Sequence, residues 1–271
     1  MVLSDLENAA LGVFCGCTDV VLLQSTNYWK NAKQQGLPFT MNPRVLYRGV
    51  LANMCNNGTC IMSQFYVNGL IRRAVAGGSD REFNDTERIA AGFAAGAIGS
   101  IPTAPMELTM IQQQRKGSST AQALKGIFAG GLGGGGVSRG LTMMMAREGI
   151  YCCGFLGIMP VVRSALARNY PERFAGSPDA ARVCATLIAG PICCVLSHPF
   201  DSVKTCMQGD LEMARYRGAT ATARTLVAES GVTVLWAGMP WRLGRQCVSV
   251  FLIDYIRAEL APVLFPRAFS G

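Results

Sequence analysis

Pro199-Phe200-Asp201-Ser202-Val203-Lys204 decides the fold of this chain. It ends a long apolar run, so a proline, an acid and a base stand deep inside what reads as a helix. Proline removes one intrahelical hydrogen bond and bends a helix. An acid and a base at i and i+3 share one helix face. Pro105-Met106-Glu107-Leu108-Thr109-Met110 repeats the pattern earlier in the chain, and Cys17-Thr18-Asp19-Val20-Val21-Leu22 is read as a first copy with Cys17 in the proline place. Downstream of each copy comes a second punctuation mark: Tyr47-Arg48-Gly49, Ser138-Arg139-Gly140 and Trp236-Ala237-Gly238. A pattern that recurs three times at near-constant spacing marks a repeat architecture.

Around these marks, six stretches read as long helices, over residues 6–35, 50–76, 85–116, 138–169, 178–209 and 240–261. None is an uninterrupted apolar run of the roughly 20 residues that a lone spanning helix shows. Each carries Gly, Ser, Thr, Asn, Gln or charge at intervals. Polar groups at membrane depth are tolerated only where they face protein or a water-filled cavity. The six helices are therefore expected to surround something polar or to pack on further protein. Shorter, more polar segments at 39–46, 120–128 and 220–229 lie between the members of each pair, and the last reads as a short surface helix. The repeats are placed at 1–79, 80–173 and 174–271, within one membrane domain.

The composition agrees. The 271 residues are 50% hydrophobic and 15% charged, with formal net charge +8; the mean hydropathy is +0.25. A basic balance suits anionic lipid or an anionic solute. Nucleic acid is not expected, because basic residues form no compact block interleaved with stacking aromatics. Eleven cysteines are scattered without paired CxxC elements, and there is one histidine, so no metal site is expected. His198 reads as packing or hydrogen bonding. No Ser-His-Asp, Cys-His or paired-carboxylate arrangement suggests an enzyme. Gly131-Leu132-Gly133-Gly134-Gly135-Gly136 formally contains GxGxxG, but no strand precedes it, so it reads as a turn. Gly92 and Gly96 permit close helix contact. The first ten residues carry Asp5 and Glu7 and no Lys or Arg, unlike a signal peptide or presequence. Any organelle address would then be internal.

The thrice-repeated Pro-x-acid-x-x-base, each copy followed by a base or aromatic and Gly, resembles the mitochondrial carrier family over essentially the whole chain. The third repeat is the most complete, with Pro199, Asp201, Lys204, Gln208, Tyr216-Arg217-Gly218, Glu229-Ser230-Gly231 and Trp236-Ala237-Gly238. The resemblance implies an all-α membrane fold of six transmembrane helices in three pseudo-threefold two-helix repeats. It further implies helices bent at Pro105 and Pro199, converging on a ring of inter-repeat salt bridges that closes the matrix side.

Residue by residue, the resemblance puts Asp19, Glu107 and Asp201 in the acid places of this matrix gate. Lys204 alone keeps its base, since Leu22 and Met110 occupy the other two places. Only Glu107–Lys204 is then expected to pair, leaving Asp19 and Asp201 without partners. Gln114 and Gln208 match the glutamine braces, with Thr26 in the first copy. For a second, cytoplasmic network only Arg72, Arg163, Asp254 and Arg257 remain. Counting two turns past Gly49, Gly140 and Gly238 gives Asn56, Arg147 and Arg245 as solute contacts. Glu148 beside Arg147 makes an Arg–acid pair like that of amino-acid carriers, although these two could equally satisfy the orphaned acids or one another. Tyr216, Gly218, Trp236 and Gly238 resemble cardiolipin-binding helix ends. No cofactor is expected, with bound cardiolipin as the lipid partner.

Alternating access needs two closed states of similar energy, and both gates read as depleted. The residues therefore favour a carrier-derived structural subunit of a larger inner-membrane complex, respiratory or ATP-synthase. The alternative is a transporter exchanging a small anionic or zwitterionic solute.

Overall fold

The computed structural model describes residues 5–76, 83–133, 135–174, 178–249 and 252. The first pair is α1 (Asp5–Gln35) and α3 (Val50–Ala76), joined through a single turn, α2 (Pro43–Leu46). The second pair opens with α4 (Asp85–Gly99), which passes through a 3-10 turn at Ile101–Thr103 into α5 (Ala104–Lys116). The connecting helix α6 (Thr120–Ala129) leads to α7 (Leu141–Cys152), a π-helical turn at Cys153–Ile158, and α8 (Met159–Asn169). A single turn, α9 (Pro171–Phe174), precedes the third pair. That pair has α10 (Pro178–Gly209), a connecting helix α11 (Ala219–Ser230), and α12, which begins at 239 and is described to 249. There is no strand among the described residues. Local signals set the starts: Asn84 with Glu87 and Ser119 with Gln122 form capping boxes at α4 and α6.

Burial is inverted relative to a water-soluble bundle. On α10, Ile188, Ile192 and Leu196 form an exposed i, i+4 stripe, while Ser197, His198, Asp201, Lys204, Thr205 and Gln208 are buried. Apolar side chains outward and polar ones inward is the arrangement that lipid demands. Three described stretches, Asp85–Lys116, Leu141–Asn169 and Ala180–Gly209, are long and apolar enough to cross a membrane. The helices α1, α5 and α10 all touch one another, which brings the interior polar faces of the three odd spans together.

The bends differ from the expected ones. Helix α1 runs straight past Cys17 and departs from helical geometry at Leu23 (φ −106°, ψ 16°), where the Thr26 hydroxyl donates to the Leu23 carbonyl at 2.7 Å. In the second repeat the break falls at 100–103, just before Pro105, and Thr103 donates to the Ser100 carbonyl at 2.7 Å. Helix α10 continues through Pro199. Proline cannot donate to the carbonyl four residues back, and the Trp236 indole N–H supplies that bond to Val195 at 3.0 Å. The fourth span was expected to be one helix, yet it widens into the π turn immediately before Pro160, a residue that cannot complete a regular α turn.

Small residues set how closely the spans approach. A Cβ added at Gly96 would stand 2.3 Å from the Glu148 carbonyl oxygen, and one at Gly92 would meet Cys153. Helix α4 therefore packs on α7 and the π turn by backbone contact, as the Gly92/Gly96 spacing suggested. The glycine-rich stretch before α7 is a series of turns, with Ser138 Oγ donating to the Leu132 carbonyl at 2.7 Å.

Candidate functional site

Three glycines fix the register of the site. Gly49, Gly140 and Gly238 adopt left-handed φ values of 78°, 72° and 82° at the entry to α3, α7 and α12, a conformation glycine adopts without steric penalty. A Cβ at Gly49 would stand 3.1 Å from Met110 Cα, one at Gly140 3.4 Å from Lys204 Cγ, and one at Gly238 3.1 Å from Lys30 Cα. Each even span thus opens against the same position of an odd span from another repeat. Lys30, Met110 and Lys204 are equivalent.

This corrects the first repeat by eight residues. The base place belongs to Lys30 and not to Leu22, which is 54% exposed and points away from the interior. Counting from Lys30 as from Lys204, Asn27 takes the acid place and Gln34 the glutamine place, so Asp19 and Thr26 fall outside the ring. The signal was present in the sequence as Lys30-x-x-x-Gln34, which matches Lys204-x-x-x-Gln208.

The ring itself is nearly complete. Lys30 Nζ lies 2.7 Å from Asp201 Oδ2, and Lys204 Nζ lies 2.6 Å from Glu107 Oε1 and 3.2 Å from Asp201 Oδ1. At the third seam Asn27 Nδ2 donates to Met110 Sδ at 3.4 Å. The two departures from charge face each other, so one whole ion pair is replaced by a neutral contact and no carboxylate is stranded. Asp201 is therefore paired, contrary to expectation. All four ionic side chains are 9% exposed or less, and buried charges need such partners. Gln34 donates to Asp201 at 2.9 Å and to Ser202 at 3.2 Å, and Asn31 donates to Gln114 at 2.7 Å. The Gln208 side-chain amide is buried without a partner among the described residues. His198 Nε2 lies 3.0 Å from the Ala237 carbonyl oxygen and 3.5 Å from Gln34.

Two turns past the glycines lie the solute-contact candidates. Arg147 reaches Glu107 and Asp201, both at 3.2 Å, and contacts Glu148. Glu148 also accepts from Gln64 Nε2 at 3.0 Å. Arg245 pairs with Asp19 at 2.6 Å, and Ser249 Oγ donates to the same carboxylate. Asp19, expected to be an unpaired gate acid, is thus paired at the level of Arg245. Asn56 keeps a buried carbonyl oxygen without a partner among the described residues. The structure brings Arg147 into contact with the ring, with Glu148 attached to it through Arg147, and leaves Arg245 in a separate pair. The contacts of Arg147 match the alternative that it satisfies the gate acids and Glu148, whereas the Arg245–Asp19 pair depends on side-chain reach between helices and was not legible from sequence.

The remaining candidates lie elsewhere. Arg72 is exposed with its guanidinium 5.3 Å from the Phe83 ring centroid, and Arg163 is exposed on α8. Asp254 and Arg257 lie outside the described residues. Gly218 is the N-cap of α11 and has no side-chain cap, whereas Gly238 is occupied by its packing on Lys30 and Trp236 by its bond to Val195. Tyr216 is buried and its carbonyl accepts from Arg139, which also donates to the carbonyls of Met207 at 2.9 Å and Arg217 at 3.0 Å. This arginine ties the entry of α7 to the end of α10. Nearby, burial pushes the Asp210 carboxyl up, but the N–H groups of Tyr216 (2.8 Å), Arg215 (2.8 Å) and Ala214 (3.2 Å) hold it below the usual carboxylate range.

An all-α bundle with inward polar faces and an inter-repeat charge ring defines a class, and the comparisons agree with it. A family model described as mitochondrial carrier protein matches residues 177–256. Over this third repeat the chain is similar to the mitochondrial carrier family, in keeping with a multi-pass protein of the mitochondrial inner membrane. It is 45% identical over 74 residues to a mitochondrial glycine transporter of Chaetomium globosum, covering 27% of this chain and 22% of the relative. The chain thus spans about a fifth of that relative's length. Longer alignments join it to mitochondrial uncoupling protein 6 of Arabidopsis thaliana, at 27% identity over 83% of this chain and 70% of the relative. A mitochondrial glycine transporter of Saccharomyces cerevisiae is 26% identical over 72% of this chain and 67% of the relative.

Proposed function

We propose that this chain transports a small amino-acid-like solute across the inner membrane by alternating access. One observation carries the reading: Lys30–Asp201 and Lys204–Glu107 form two buried inter-repeat ion pairs, with Asn27–Met110 at the third seam. A transport gate needs a closed state that holds but also opens. Two ion pairs and one neutral seam fit that need. The structural-subunit reading rested on two depleted gates, and at the matrix gate both acids expected to be stranded have cationic partners. That takes away the matrix half of its premise. The names of two relatives, both mitochondrial glycine transporters, support a small amino acid as the solute. So does the combination of Arg147, Glu148, Arg245 and Asn56 on the three even spans, since Arg holds a carboxylate and Glu receives an ammonium group. Cardiolipin at the Tyr216–Gly218 end belongs to the same reading, supported by the uncapped start of α11.

Uptake of radiolabelled glycine, other small amino acids and short carboxylates into proteoliposomes tests this. Saturable uptake or exchange of at least one, abolished by Arg147→Ala, is the expected result. Absence of any such flux from correctly folded protein would sink the transport reading.

A further inference from the structure

We propose that Asp19 selects for a zwitterion, taking the solute's ammonium group while Arg245 takes its carboxylate. The proposal rests on the transport reading above and assigns that site its solute class. Two arginines stand two turns past their packing glycines, and they are unequally committed. Arg147 touches three carboxylates, those of Glu107, Asp201 and Glu148. Drawing it to a solute would strip three buried acids at once. Arg245 holds one carboxylate among the described residues, that of Asp19, at 2.6 Å. Its side chain is also the more accessible, 28% exposed against 12% for Arg147. A solute carboxylate therefore displaces Asp19 from Arg245 at lower cost than it displaces three acids from Arg147.

The displaced group decides selectivity. The Asp19 side chain is only 7% exposed, and among the described residues the Ser249 hydroxyl is its other polar partner. A monoanion that captured Arg245 would leave Asp19 as a buried charge without a cation, which is strongly unfavourable. A solute carrying an ammonium beside its carboxylate exchanges one internal ion pair for two to the solute, and the charge count closes. Glu148 is a poorer ammonium acceptor, because Arg147 and Gln64 already hold it.

Glycine and glycolate, which differ by an ammonium in place of a hydroxyl, are the probes. Uptake of each into proteoliposomes is measured for the full chain, D19N and the double variant D19N/R245Q. Wild type is expected to prefer glycine by at least about tenfold, D19N to reverse that preference, and D19N/R245Q to carry neither. Retention of the wild-type preference by D19N would overturn the assignment while leaving transport standing. So would equal loss of both solutes in a D19N protein that melts like wild type, since Asp19 would then only position Arg245. Wild-type thermal shifts with the two solutes supply a readout independent of any variant's folding: equal stabilisation by glycolate and glycine also overturns it. If wild type carries no solute of any class, it is the transport reading that fails.

Discussion

Lys30 and Asp201, 171 positions apart in sequence, meet at 2.7 Å and join the first repeat to the third. Their side chains are 9% and 0% exposed. Removing one partner of such a pair leaves the other buried and undercompensated, at a cost of about 3–5 kcal/mol. Lys30→Met is therefore expected to lower the apparent melting temperature of the detergent-solubilised protein sharply. Lys30→Met with Asp201→Asn should recover part of the loss, as interacting neighbours do in a double-mutant cycle. Leu22→Ala is the contrast: with no part in the ring, it should leave this coupling unchanged. If Leu22→Ala weakened the Lys30–Asp201 coupling while Lys30→Met melted like wild type, the register argued from the three glycines would be wrong.

The second and third repeats were legible because acid, proline and glutamine all kept their places. The first was not, because its acid place holds Asn27 and its proline place Ser25, so charge identity pulled the reading to Asp19. The connection from the glutamine place to the glycine is also shorter there, Gln34 to Gly49 against Gln114 to Gly140 and Gln208 to Gly238. A single-turn α2 stands where the other repeats have α6 and α11. Insertions in connections leave helix packing intact, so the packing contacts hold the repeat symmetry that sequence spacing loses. The solute-contact positions came from counting turns past a glycine. Which acid each arginine takes depends on the crossing of separate helices.

Gly96 links the fold to the site. A Cβ there would stand 2.3 Å from the Glu148 carbonyl oxygen, so α4 and α7 must separate to admit it. Overpacking of this kind costs about 1–3 kcal/mol. Gly96→Ala is expected to lower thermal stability and to weaken solute-induced stabilisation, because Arg147 and Glu148 ride on the displaced turn. Gly58→Ala, at a helical position with open space, should do neither. Equal behaviour of the two variants would remove close α4–α7 contact from the account of the site.

Asp210 gives a pH test outside the membrane spans. Burial opposes its ionisation, but three backbone N–H bonds hold its carboxyl below the usual range. A carboxyl depressed in the folded state stabilises the fold above its unfolded pKa, about 3.9, and loses that contribution as pH falls through the lower folded value. The melting temperature of Asp210→Ala should therefore fall furthest below wild type at neutral pH, and the gap should narrow below about pH 4. A gap that stays constant across this range would mean the carboxylate's charge contributes nothing at this turn.

The neutral seam makes the sharpest prediction about rate. Asn27 and Met110 face each other where the other two seams carry ion pairs. Asn27→Asp alone, or Met110→Lys alone, introduces one unpaired charge into a buried position and should destabilise the protein. Together they create a third ion pair in the geometry that Lys30–Asp201 and Lys204–Glu107 already use. The double variant is expected to melt above either single variant and above wild type. Its coupling energy should fall within about 0.5–3 kcal/mol. If the ring must open in every cycle, that gain accrues to the closed state alone and raises the barrier to opening. Solute exchange should then slow by roughly tenfold for each 1.4 kcal/mol of added closed-state stability. A scaffold would gain the stability with no rate to lose, and a double variant that is more stable yet exchanges solute at the wild-type rate would separate the ring from the transport step.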